Sequence, residues 1–414
     1  MVNPKAESKR PPVRGGSGQR QEQKPENPSA VRKIRKKFRV FSARSGMDLP
    51  FLFLILVLLV IGLVMLFSAS FANALYRHGS SYFFISRQAI WAVLGVVAMI
   101  AISYFDYHHL HKFAVPILLL SYAMLVLVLF TSRDINGVHR WLELGPLGQF
   151  QPSELAKFAI ILIFAHLISL NFHRMDTFRY GVLPYLIILG VTAGLLILEP
   201  HVSATVILVI LAGVMLFIGG VRLRWFGIAF GGAGAVVMYL VLFSKKFSYA
   251  NDRLVAWLDP FSTASKEIIA DTWQTRQSLY AIGSGGLLGL GLGQSRQKYL
   301  YLPEPQNDFI FAIVCEELGF IGALIIIILF AMLVWRGITI SLKAKDKFGM
   351  LLGIGLVMQV GLQVVLNIAV VTNTIPNTGI SLPFFSYGGT SLVILLAEMG
   401  IVLSISRTSS IEKT

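Results

Sequence analysis

The sequence predicts an all-α polytopic membrane protein, with ten transmembrane helices and a long loop between helices 7 and 8. Three observations predict it. Of 414 residues, 55% are apolar and only 14% charged, against roughly 45–50% and about 25% in soluble domains. The mean hydropathy is +0.70. Apolar runs recur at the length that crosses a bilayer, about 20 residues each. Together these exclude a soluble enzyme, a secreted disulfide scaffold and a disordered hub. The one cysteine, Cys315, lies inside an apolar run, which leaves no intrachain disulfide and reads as a small buried hydrophobe.

Residues 1–46 come first in the chain. They carry 13 Lys and Arg against 3 Asp and Glu, are rich in Pro, Gly and Gln, and read as a disordered cytoplasmic tail. Its densest basic cluster, Arg32 to Arg39, suits anionic lipid better than nucleic acid, because an apolar run follows within a dozen residues. Residues 47–407 form the membrane domain, and 408–414 a short cytoplasmic C-terminal tail. The first span contains Phe51–Phe67 without a charge and reads as a signal anchor. Further runs centre near Val96, Leu120, Ile161, Leu189, Leu208, Val236, Ile325, Val360 and Leu395. With the tail inside, the short inner loops hold eleven Lys and Arg and the short outer loops four, as the positive-inside rule requires. Both termini are then cytoplasmic. The polar, Gly-rich and Pro-rich stretches fall outside: 131–153, 199–205, a long loop of about 244–306, and 373–390. Phe247, Leu254, Trp257 and Leu258 alternate with polar residues, as in an interfacial helix. No Walker-type phosphate loop and no Asp-x-Asp occurs, so an outward-facing chemistry needs a substrate that carries its own activation.

Ionisable residues in or beside spans are costly and are functional candidates by default. Asp308 follows Pro303-Glu304-Pro305-Gln306-Asn307 and opens the eighth span. It reads either as a helix N-cap or as a half-desolvated carboxylate walled by Phe309 and Phe311. Glu316 and Glu317 lie about 12–14 Å deeper along the same helix; one of them, with nothing to choose which, reads as a structural hydrogen-bonding group. Gln151-Pro152-Ser153-Glu154 opens the fourth span, and Lys157 shares a face with Glu154. That pair is a plain ion pair or an ammonium available to a phosphate. Arg140-Trp141 adds a second cation beside an interfacial aromatic. Glu199-Pro200-His201 makes a tight turn, and His201 reads as structural. Six glycines in 283–293 make either a re-entrant loop or a nest of backbone N–H groups for an anion such as pyrophosphate. Ser386-Tyr387-Gly388-Gly389 opens the tenth span as a turn or as another backbone site. Carboxylates, cations and a glycine nest at a membrane surface suit a lipid-linked pyrophosphate.

These stretches resemble the FtsW/RodA (SEDS) family, and its division-type members most. The matching residues are Gly137-Val138-His139-Arg140-Trp141, Gln151 to Glu154 with Lys157, Gln277-Ser278-Leu279-Tyr280-Ala281-Ile282-Gly283-Ser284-Gly285-Gly286, Tyr301 to Glu304 with Asn307 to Phe311, Glu316-Glu317-Leu318-Gly319, and Leu382-Pro383 with Ser386 to Gly389. The resemblance implies a peptidoglycan glycosyltransferase of the bacterial cytoplasmic membrane. It would polymerise lipid II on undecaprenyl-linked glycan, together with a class B penicillin-binding protein and other divisome or elongation proteins. Asp308 matches the family's essential aspartate and would be the catalytic base. Arg140, Trp141, Glu154, Lys157, Gln277, Ser278, Gly285, Gly286, Glu304, Ser386, Tyr387 and Gly388 would bind substrate. The resemblance admits a divalent cation, Mg or Mn, as a helper, and implies no nucleotide and no nucleic acid. One position departs from it: many relatives carry an acid after the proline where this chain has His201. A lipid II flippase or a non-catalytic division scaffold are the alternatives. The absence of a repeat between the two halves and the crowding of charge at span ends speak against a transporter.

Overall fold

The computed structural model describes residues 46–131, 140–143, 149–199, 201–228, 257–261 and 266–409. Helices α1 (Leu49–His78), α2 (Phe83–Tyr104), α3 (Leu110–Thr131), α4 (Pro152–Asn171), α5 (Leu183–Leu198) and α6 (Val202–Ile218) come first. Then follow α7 (Lys266–Gly285), α8 (Ile310–Leu342), α9 (Lys347–Val371) and α10 (Gly389–Thr408). The described strands are β1 (Leu142–Glu143) and β2 (Gln149–Phe150), an antiparallel pair with Leu142 opposite Phe150.

Eight of the described helical segments are long and apolar enough to cross a membrane, and α6, with 17 residues, is shorter. The protein is thus a multi-pass helical membrane protein. The expected span near Val236, the basic tail, and Phe247 and Leu254 lie outside the described residues. The expected long loop contains a finding of its own: α7, a 20-residue helix of mostly polar composition.

Local chemistry sets the helix ends. The Asp48 carboxylate accepts from Phe51 N–H at 3.0 Å, with Pro50 in the first turn, and so starts α1. Gly79 ends α1 in the left-handed region (φ 69°), its N–H on Leu75 C=O at 3.0 Å. Asp346 starts α9 by accepting from Gly349 N–H at 3.0 Å. Helices α4, α9 and α10 are the most enclosed of the spans, while α2, α3 and α5 turn large apolar side chains outward, as lipid contact requires. Close approach of α10 to α2 depends on small residues. A Cβ on Gly400 would lie 2.6 Å from Met99 C=O, and one on Gly389 2.1 Å from the Trp91 ring.

Hydrogen bonds sort the loops into two ends. At one end Arg336 clamps the Asp48 carboxylate (Nη2 to Oδ2 2.7 Å, Nε to Oδ1 3.1 Å), and Tyr107 and His108 meet Asp346. The other end gathers the segments before α4, between α5 and α6, before α8, and between α9 and α10. Gln151 meets His201 there, Ser203 donates to Thr378 C=O, and Ser386 donates to Asn307 C=O at 2.7 Å.

Candidate active site

Asp308 sits on the loop 299–309, which leads into α8. Prolines at 303 and 305 and left-handed backbone at Leu300 (φ 68°) and Glu304 (φ 46°) keep this segment from continuing as helix. Its side chains are tied to α1: Arg77 donates to Glu304 Oε1 at 2.6 Å, Gln306 to Glu304 Oε2 at 2.7 Å, and Asn73 to Gln306 Oε1 at 3.1 Å. Its backbone is tied elsewhere. Ser386 Oγ and Tyr387 N–H donate to the carbonyls of Asn307 and Gln306 (2.7 and 2.9 Å), and Asn367 Nδ2 donates to Asp308 C=O at 2.7 Å.

The carboxylate itself is left over. The cap position of α8 falls on Phe309, and no side chain bonds there, so Asp308 is not a cap. It is half-buried, and among the described residues its carboxylate takes no hydrogen bond. Burial pushes it up to about 6; the Arg140 guanidinium opposes the rise and the Glu304 carboxylate adds to it. Gly379, in the left-handed region (φ 67°), faces it: a Cβ there would lie 3.0 Å from Asp308 Oδ2.

A second group lies beside α4. Lys157, 2% exposed, pairs with Glu154 at 2.8 Å. Arg140 Nε donates to Glu199 C=O at 3.4 Å, and half-buried Trp141 leads into β1. Glu199 is fully buried, and among the described residues neither carboxylate oxygen has a partner. Burial pushes it up to about 8, against the pull of Arg140. His201 is buried too. Burial, Arg140 and Lys157 push it down to about 3, so the imidazole is neutral, and Gln151 approaches its Nε2 at 3.4 Å. The Lys157–Glu154 pair also acts electrostatically on Glu398, deep in α10, which accepts from Gln359 at 3.0 Å on one oxygen and, among the described residues, has no partner on the other. The sequence offered a signal for Glu398, an acid in an apolar run, but its partners come from distant helices. An apolar cavity of about 430 Å³ opens between α2, α3, α4 and α10, lined by Ile102, Phe105, Phe158, Ile394 and Glu398 among others.

Helix α7 braces the Asp308 loop. Trp273 donates to Tyr301 C=O at 2.9 Å and Gln274 to Pro303 C=O at 3.3 Å. Ser278, fully buried, donates to Val371 C=O at 2.7 Å, and Gln277 is buried beside it. Gly285 lets α7 touch α8, since a Cβ would lie 2.0 Å from Cys315 C=O. The glycine loop that follows fills a break in α8 at Gly319 (φ 68°). Leu290 and Gly291 N–H donate to the carbonyls of Glu316 and Glu317 (2.9 and 3.0 Å), and Phe320 N–H donates to Gly286 C=O at 2.9 Å. The next residues do hold an anion, but one from the chain itself. Glu316 accepts from Ser295 Oγ and from Arg296 N–H (3.0 Å). Glu317 accepts from Lys298 Nζ (3.0 Å), Ser68 Oγ (2.7 Å) and Ser295 N–H (3.2 Å). Both glutamates are therefore held as structural groups, where the sequence pointed to one without choosing which.

The structure thus gathers Asp308, Glu304, Ser386 and Tyr387 at one end, with Gly388 N–H held by Gln88 at 3.2 Å. Arg140 is within electrostatic reach of Asp308. Among the described residues no three His, Cys, Asp or Glu converge on a point that would hold a metal ion.

Residues 49–411 match the family model for FtsW/RodA/SpoVE cell cycle proteins. The chain belongs to that family. It is 40% identical over 370 residues to stage V sporulation protein E of Bacillus subtilis (strain 168), covering 88% of this chain and 98% of that one. It is 37% identical over 367 residues to the probable peptidoglycan glycosyltransferase FtsW of Geobacter sp. (strain M18), covering 87% and 97%. Among solved structures, a chain from work described as "Structural coordination of polymerization and crosslinking by a peptidoglycan synthase complex" superposes with TM-score 0.72 at 27% identity, covering 89% of this chain and 99% of that one. The rod shape determining protein RodA of Thermus thermophilus superposes with TM-score 0.62 at 26% identity, with the same coverage. The FtsW/RodA fold therefore extends over nearly all of the described membrane domain.

Proposed function

We propose that this family member is a peptidoglycan glycosyltransferase that polymerises lipid II at the outer face of the cytoplasmic membrane. The observation that carries the proposal is the Asp308 carboxylate: accessible, outside any cap or ion pair among the described residues, and raised to about 6 by burial. A general base is most useful when its pKa lies near the working pH. The 4-hydroxyl of an acceptor GlcNAc gives its proton to Asp308 as its oxygen attacks C1 of the donor MurNAc. The C1–O bond to undecaprenyl pyrophosphate breaks, and the α-linked donor becomes a β-1,4 product. Arg140, and Lys157 behind its pair with Glu154, would offset pyrophosphate charge, and the apolar cavity suits a polyprenyl tail. The loop charges support an orientation with the Asp308 end outside the cell and both termini inside. A helper Mg or Mn ion would draw most of its ligands from substrate phosphates and water, as such ions commonly do. A class B penicillin-binding protein is the expected partner, within the division or elongation machinery.

The test is polymerisation of purified lipid II by the solubilised protein, read on a gel, with a cognate class B penicillin-binding protein whose transpeptidase serine is blocked. Glycan strands from wild type and none from folded, partner-bound Asp308→Asn support the reading. Strands from both move the base elsewhere. No strands from either send the question to a lipid II translocation assay.

A further inference from the structure

Asn367 lies one turn before the end of α9, in a segment otherwise apolar, and is fully buried. A buried amide in a membrane helix is costly unless its donors are used. Here Nδ2 donates twice: to Asp308 C=O at 2.7 Å and to Ile380 C=O at 2.6 Å. One side chain therefore fixes the spacing between the loop that carries Asp308 and the segment 377–380. That segment is itself held from two further sides and by one bond of its own. Ser203 at the start of α6 donates to Thr378 C=O, Asn377 donates to Gln274 of α7 at 3.2 Å, and Gly379 N–H donates to Asn377 Oδ1 at 3.2 Å. At its tip Gly379 has φ 67°, and a Cβ there would lie 3.0 Å from Asp308 Oδ2. The absence of a side chain leaves that oxygen room for a reacting hydroxyl or for water.

We infer that Asn367 and Gly379 are positioning residues for the Asp308 carboxylate. Asn367 sets the distance between the two loops, and Gly379 keeps one face of the carboxylate open. This rests on the reading of Asp308 as the base. The charged groups that reach Asp308 are Arg140, before α4, and Glu304, in its own loop. Helix α9 and the 377–380 segment present Asn367, Asn377, Thr378 and Gly379, all uncharged.

The two positions act on the carboxylate in opposite senses, which gives the test its force. A methyl group at 379 removes water from Oδ2 and disfavours the ionised form. A serine at 367 gives up at least one of the two bonds, loosens the loop and admits water. Initial polymerisation rates of the full-length protein with its partner would be measured from pH 4.5 to 8 on purified lipid II, with the folded fraction fixed by gel filtration. Gly379→Ala should move the acid limb up by about half a pH unit or more, and Asn367→Ser should move it down. Both should lower kcat by about tenfold or more while KM changes less than about threefold. A merely structural role would lower the rate at all pH values without moving the limb. Folded variants with the wild-type midpoint overturn the inference, and either variant suffices if the other fails to fold. Asp308→Asn runs in parallel. If it polymerises, the base reading falls and takes this inference with it. If it is inactive while the midpoints stay put, the inference alone falls.

Discussion

Replacing Lys298 by methionine tests whether Glu317 is structural. Lys298 Nζ lies 3.0 Å from Glu317 Oε1 and also bonds Gly293 C=O at 2.6 Å and Ser68 Oγ at 3.2 Å. The two side chains are 3% and 0% exposed. Removing the ammonium leaves a carboxylate in a membrane protein's interior with only Ser68 and Ser295 to hold it. Breaking a buried pair from one side costs about 3–5 kcal/mol. At 1.36 kcal/mol per decade, the ratio of folded to unfolded protein falls by roughly 10² to 10⁴. Adding Glu317→Gln removes the stranded charge while keeping an acceptor for Ser68 and Ser295. The double variant should therefore return to within about 2 kcal/mol of wild type, a coupling energy of at least about 1 kcal/mol. Unfolding in mixed micelles measures the cycle, and glycan polymerisation is followed in parallel. A cost below about 1 kcal/mol for Lys298→Met, or a double variant less stable than the single, refutes the buried-pair reasoning. A double variant that folds but makes no glycan refutes the assignment of Glu317 as structural.

Three further outcomes are expected. The initial rate of polymerisation should fall as pH drops through about 6, because Asp308 accepts a proton only when ionised; a rate still level at pH 5 removes Asp308 as the base. Glu199→Gln should stabilise the protein at pH 8. Burial raises Glu199 to about 8 in the folded state, so the folded state keeps a proton that the unfolded chain loses near its ordinary value. Wild-type stability is then fully present at low pH and declines as pH rises toward about 8, on the order of a few kcal/mol in all. Melting at pH 5 and pH 8 checks it, and a variant no more stable than wild type at pH 8 contradicts it. Asp346 runs the other way. Burial alone would raise it, but hydrogen bonds from His108, Tyr107 and Gly349 N–H hold it at about 2. Its contribution is present above the ordinary carboxylate value and lost as pH falls toward 2. Asp346→Asn should flatten acid unfolding over that window, and an unchanged acid limb would show the contribution absent.

What the sequence disclosed follows from what a bilayer demands. A spanning helix must satisfy its backbone internally and turn apolar side chains to lipid, so α1 to α6 and α8 to α10 stand where apolar runs centre. Helix α7 escaped because it buries small polar residues, Thr272, Thr275 and Ser278, and apolar periodicity does not register such a face. The glycines of 283–293 signalled close approach but not its object: Gly285 and Gly289 would clash with carbonyls of Cys315 and Glu317, thirty residues on. Asn367 and Ser68 carry no local signal, since their partners lie 59 and 249 residues away. The cap reading of Asp308 was open because Asn307, Asp308 and Phe309 all precede the helix. Phe309 takes the cap position with no side-chain bond, while Asn367 of α9 and Ser386 ahead of α10 hold the backbone of this loop, and that settles it.

Burial separates the acids that remain. Glu154, Glu304, Glu316 and Glu317 each accept from a cation or from several donors. Among the described residues Glu199 and one oxygen of Glu398 do not, and a buried acid without a partner is costly. A base must also be reached by the hydroxyl it deprotonates. Glu199 is 0% exposed, so a substrate cannot reach it without displacing its neighbours, and Glu398 lines the apolar cavity, which suits a polyprenyl tail rather than a sugar hydroxyl. Glu304 is accessible, its side chain 39% exposed, but Arg77 at 2.6 Å and Gln306 at 2.7 Å occupy its two oxygens. Asp308 combines what the others lack: access, an open carboxylate and a raised pKa. The Arg140 charge near it has the sign that a departing pyrophosphate needs.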